Sequence, residues 1–238
     1  MNPKLKKIRQ ENARLEKTST FNYCDRWCER CPFERQSRCK LYQDELERKI
    51  TAIAHGRDPD DSEITEEVMR WQYALAEEKL EESMEEMEEE EIDLDESDDP
   101  AIQKIKEHIA FVENNPLEKT VRQYSYIAHD FLEKTFFTSE NLSPELKYDF
   151  ETIAWYHTLL PAKLHRALCG FHEPMVEGDF ALYDAVAQFD ICLEGIEKSV
   201  VALKRLKIQY PQNEKLIIEL LALLHNLSSR IAAMEENI

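Results

Sequence analysis

Between Leu182 and Leu203 apolar residues return at alternating intervals of four and three: Leu182, Val186, Phe189, Leu193, Ile196, Val200 and Leu203. This is the mark of one helix face turned toward a core or a partner helix. A strand has no use for it, because strand side chains change face at every residue. The alternation returns at Leu216, Leu220, Leu223, Leu227, Ile231 and Met234. Tyr210-Pro211 separates the two runs, and Pro ends the first. Two long helices, over about 180–208 and 213–236, are therefore expected.

Three more helices precede them. Ile102, Ile105, Ile109 and Val112 mark one over 101–114, broken by Asn115-Pro116. Leu117, Val121, Tyr124, Ala128 and Phe131 mark a second over 117–137. Ser143-Pro144-Glu145 reads as an N-cap with Pro at the first helical position. The helix it opens carries Leu146, Phe150, Ile153, His157, Leu160 and Leu164 as far as Cys169-Gly170, with a kink expected at Pro161. With only four glycines and nine prolines in 238 residues, a turn-rich β-sandwich or barrel is excluded. The fold class is all-α: a bundle of four or five helices over 100–238, behind a small helical head over 1–57.

The head carries the chemistry. Cys24, Cys28, Cys31 and Cys39 fall within 16 residues, spaced Cys-x3-Cys-x2-Cys-x7-Cys. Four thiolates joined by such short loops converge readily on one centre: a tetrahedral zinc ion or an iron–sulfur cluster. Spacing does not choose between them, and one metal centre of either kind is expected. A disulfide framework would need an oxidising compartment, which nothing here implies. Tyr23, Trp27, Phe33 and Tyr42 are expected to pack around the centre, which supplies folding free energy the short segment cannot obtain from burial. Arg26, Arg30, Arg35, Arg38 and Lys40 alternate with the ligands and would offset their negative charge. The Cys24, Cys28, Cys31 triplet has the spacing of radical-SAM cluster loops, but the large α/β barrel of those enzymes is missing. Cys28 to Cys39, with its Cys-Pro-Phe, resembles the iron–sulfur staple of helicase-associated nucleases; no nuclease core accompanies it, so no function is carried over.

Around the cysteines, Leu5, Ile8 and Leu15 mark a short helix over 3–20, and Leu46, Ile50 and Ile53 form the apolar stripe of another over 41–55, closed at Gly56. The charge is uneven. The chain holds 30 Lys and Arg against 49 Asp and Glu, a net charge of −19. Residues 1–50 hold 13 against 8, whereas residues 58–99 hold 2 against 21. That acidic stretch reads as a helix begun at Asp61-Ser62, with Ile64, Val68, Trp71 and Leu75 on one face, fraying into a linker rich in Glu. A basic partner, or the head itself, could dock on it. The acidic field disfavours nucleic acid except at the basic head.

Few bundle residues invite chemistry. Cys169 and Cys192 read as packing thiols. His157 interrupts an apolar stripe and must find a hydrogen-bond partner. Asp190, Glu194 and Glu197 line up on the next helix, able to pair with Lys163 or Arg166 or to join His157 at a metal. No Glu-x-x-His occurs in 101–238, which argues against a di-iron bundle. Arg122 and His129 resemble the Arg-x4–6-His element of HEPN-type helical RNases; that resemblance implies phosphate binding by Arg122 and acid–base chemistry by His129. No Gly-rich phosphate loop is present.

The expected function is that of a non-enzymatic, cytoplasmic metal-binding module acting on another protein. An iron–sulfur redox protein and an RNase are the alternatives. The chain shows no apolar signal-peptide core and no uninterrupted apolar run long enough to span a bilayer, so no membrane partner is expected.

Overall fold

The structure, a computed structural model, describes residues 2–59, 70, 74, 77, 100–139, 141–172 and 180–238. Nearly all of the acidic stretch, including its expected apolar face, lies outside the described residues, as does most of the expected loop over 171–178.

Among the described residues the secondary structure is helical, without strands. Helices α1 (Pro3–Leu15), α2 (Phe33–Gln36) and α3 (Lys40–Ala54) belong to the head. The bundle comprises α4 (Pro100–Asn114), α5 (Pro116–Thr135), α6 (Pro144–Phe171), α7 (Phe180–Gln209) and α8 (Glu214–Glu235). The caps explain the boundaries. Asn115 Oδ1 accepts from Leu117 N at 2.9 Å, and Ser143 Oγ accepts from Leu146 N at 3.3 Å. Gly56 closes α3 in the left-handed region at φ 69°, and Arg57 N reaches back to Ala52 O at 2.9 Å. Pro161 sits inside α6 without ending it.

The core runs through α5, α6, α7 and α8. Val121, Tyr124, Ala128 and Phe131 are wholly buried, as the periodicity requires. Helix α7 is buried well beyond its stripe, at Ala185, Gln188, Cys192 and Ser199 among others, because α1, α6 and α8 all pack against it. On α8 the innermost line is Ile217, Leu220, Leu224, Leu227 and Ile231, displaced by one position from Leu216 and Leu223, which pack at its edge. By length and composition the stretch Pro211–Glu235 is apolar enough to cross a membrane, but that inner line lies fully within the bundle core.

The head lies against the bundle. Leu5 and Ile8 of α1 are buried with Val186 of α7. Arg9 bridges two helices, with Nη2 at 2.5 Å from Asp190 and 2.6 Å from Glu235. The expected apolar stripe of α3 faces outward: Leu46, Ile50 and Ile53 are exposed, and Ala52 is its buried residue.

Candidate metal centre

The cysteine segment has little regular structure: two short 3-10 turns, Thr20–Tyr23 and Cys28–Arg30, then the single turn of α2. Cys31 N bonds Cys28 O at 3.2 Å, and Gln36 Nε2 bonds the same carbonyl at 3.1 Å. Arg26 adopts φ 56°, a left-handed conformation that costs an L-residue about 1–2 kcal/mol. It lies midway between Cys24 and Cys28.

These turns bring Cys24, Cys28, Cys31 and Cys39 to one cavity of about 240 Å³. All six cysteines of the chain are free thiols. Burial raises the pKa of Cys24, Cys28 and Cys31, and neighbouring thiols of the same group raise it further; each of the six pairs among the four interacts in this way. Among the described residues, however, no three His, Cys, Asp or Glu side chains are drawn together closely enough to hold a single metal ion. The four residues thus share a cavity without meeting at a point.

Of the aromatic residues expected around the centre, Trp27 and Tyr42 line the cavity. Phe33 is 76% exposed, because α2 is one turn long and buries no face. Tyr23 faces a separate groove between α1 and α7.

Residues between the cysteines fasten the loop to the bundle. Asp25 O accepts from Trp155 Nε1 at 2.9 Å, and Asp25 Oδ2 accepts from Tyr156 Oη at 2.5 Å and Lys198 Nζ at 3.2 Å. Burial disfavours the Asp25 carboxylate, but these donors and the Trp27 N–H outweigh it and lower its pKa. Burial and the Asp25 carboxylate raise the pKa of Tyr156, keeping its proton in place to donate. Trp27 stacks on Trp155 with ring centroids 5.3 Å apart. Arg30 lies between two rings, 3.7 Å from the centroid of Trp27 and 3.6 Å from that of Tyr148. It also donates to Glu151 at 2.6 Å and Thr152 at 3.1 Å. Sequence reasoning saw Arg30 only as a charge and missed Asp25, Tyr148, Tyr156 and Lys198. Their contacts cross more than a hundred positions, and no local pattern announces them.

The other residues singled out in the sequence have the following partners. Lys163 donates to Gln188 at 2.9 Å and Arg166 pairs with Asp184 at 2.7 Å, so neither meets the Asp190, Glu194, Glu197 row. Glu194 pairs with Lys198 at 2.8 Å. His157 Nδ1 finds Ala154 O at 2.7 Å, and its ring stacks on His129 at 5.7 Å. Arg122 is tied to Glu118 at 2.7 Å and lines a groove whose lining does not include His129, and His129 faces Glu133 at 3.4 Å. Cys192 is fully buried, and burial raises its pKa.

Comparison with known proteins finds no matching family model, no matching curated protein and no matching solved structure.

Proposed function

We propose that Cys24, Cys28, Cys31 and Cys39 ligate one inorganic centre, and that the chain is a non-enzymatic cytoplasmic module acting by protein–protein interaction. The observation that carries this reading is the shared cavity: four cysteines from one short stretch border the same space, and the residues between them hold the loop against α6 and α7. Charge supports it. Arg26, Arg30, Arg35 and Lys198 also line the cavity. Lys163 is 93% buried, bonds a neutral amide and makes no ion pair among the described residues. Arg30, Arg35 and Lys198 already face Glu151, Glu16 and Asp25, so the charge that a four-thiolate centre would balance is chiefly that of Arg26 and Lys163. The outward apolar face of α3, with Leu46, Ile50 and Ile53, supports the interaction role, since a solvated apolar patch is costly unless a partner covers it.

The test is the metal content of the native chain beside that of Cys28→Ser and Cys192→Ala. We expect metal in the wild type and in Cys192→Ala, and its loss from Cys28→Ser. A wild-type protein without metal, or equal metal in all three, overturns the reading.

A further inference from the structure

We propose that His108 and His172 form a pH-sensitive clasp, which holds α4 against the C-terminal end of α6 and releases it when both rings carry a charge.

Helix α4 has a thin hold on the bundle. Ile102 and Val112 are buried, but Ile105 and Ile109 of the same expected stripe are exposed. Between the two buried residues, His108 Nδ1 lies 2.9 Å from the backbone oxygen of His172, the residue that caps α6. The ring of Phe111 stacks on that of His172 with centroids 4.2 Å apart.

Elementary chemistry assigns the protons of this contact. A carbonyl oxygen only accepts, so His108 Nδ1 carries a hydrogen. His172 Nδ1 lies 3.4 Å from that same nitrogen and must present a lone pair, with its own hydrogen on Nε2. The ring centroids are 5.6 Å apart with planes inclined at 27°, so the rings meet edge to edge rather than face to face. One N–H of α4 thus serves two acceptors of His172. A proton added at His108 Nε2 leaves this arrangement intact. A second can enter only at His172 Nδ1, where it sets two N–H groups and two like charges against each other. The docked pair therefore binds one proton fewer than a released pair, and falling pH drives release.

The surroundings leave that difference standing. On α4, Lys104 lies one turn before His108 and Glu107 directly before it; on α6, Cys169 lies three residues before His172, which Glu173 follows in sequence. From α7, Ala181 and Phe189 meet Gly170 and Phe171 at the end of α6 and bring no charge. The carbonyl end of α6 favours a cation on His172 whether α4 is docked or not, so the facing N–H decides between the two states. The pivot for release is Asn115, beyond which Pro116 begins α5.

The test is amide hydrogen exchange of the full chain at about pH 8 and about pH 5, corrected for the intrinsic effect of pH, in the wild type, His172→Asn and His108→Ala. In the wild type, protection of α4 should fall several-fold at the lower pH, well beyond any fall in α5 and α6. In both variants the protection of α4, whatever its level, should not depend on pH in this way. No selective fall in the wild type, a fall shared equally by α5 and α6, or a selective fall that persists in either variant overturns the clasp.

Discussion

One glycine of the bundle sets the terms on which the head can dock. Gly195 of α7 lies against the ring of Tyr156, so close that a Cβ there would meet Tyr156 Cδ1 at 2.6 Å. Only a residue without a side chain lets that ring lie where its hydroxyl reaches both Asp25 and Lys198. Gly195→Ala should therefore cost about 1–3 kcal/mol through overpacking and weaken the head's attachment. Chemical denaturation tests the first effect, and the rate of metal loss to a chelator tests the second. His157 reports on the bundle. Burial holds its pKa below the ordinary value, and His129 adds to this against the carbonyls of Ala154 and Ile153. The folded state thus takes up its proton less readily than the unfolded chain does. The stabilisation is complete above about pH 6.5, the unfolded value, and is lost as pH falls through the folded pKa. Unfolding free energies measured at neutral and mildly acidic pH should fall less steeply in His157→Gln than in the wild type. Of these residues His157 was legible in advance, because a polar residue in an apolar stripe is conspicuous. Gly195 was not, since the ring it accommodates belongs to another helix.

Elements read well from the sequence where local chemistry decides them. The breaks at Pro116, Pro144 and Pro211 and the cap at Gly56 depend on a few adjacent residues, and they fall where the sequence puts them. The orientation of α3 does not follow from its own residues. Its larger apolar side chains point outward, whereas Ala52 faces in. Phe33 points outward too, from a helix of a single turn. The cysteine loop shows the limit most clearly: its spacing is visible, but its anchoring is a tertiary matter. Arg30 is the clearest handle on that anchoring. Its place between Trp27 and Tyr148 is worth about 2 kcal/mol where the cation is shielded from water. Arg30→Ala should speed metal loss to a chelator several-fold without lowering the bundle's melting temperature. An unchanged rate would show that the loop is held by other means.

At the scale of the whole molecule, two attachments join head to bundle, and the proposed centre would act on only one of them. Helix α1 is held by Leu5, Ile8 and the Arg9 bridge to Asp190 and Glu235, none of which involves a cysteine. The cysteine segment itself buries almost no side chain beyond Thr20 and Cys39. Removing the metal should therefore free that segment while α1 and the bundle keep their helices. Circular dichroism should change little, whereas Trp27 fluorescence should report its departure from Trp155. Loss of helix throughout the chain would contradict this division. The central claim is that four sulfurs share one centre, and X-ray absorption at the metal edge of the native protein tests it most directly. The account predicts a first shell made of sulfur alone, abolished when Cys24, Cys28, Cys31 and Cys39 are replaced together; nitrogen or oxygen ligands in that shell, or no bound metal, would contradict it.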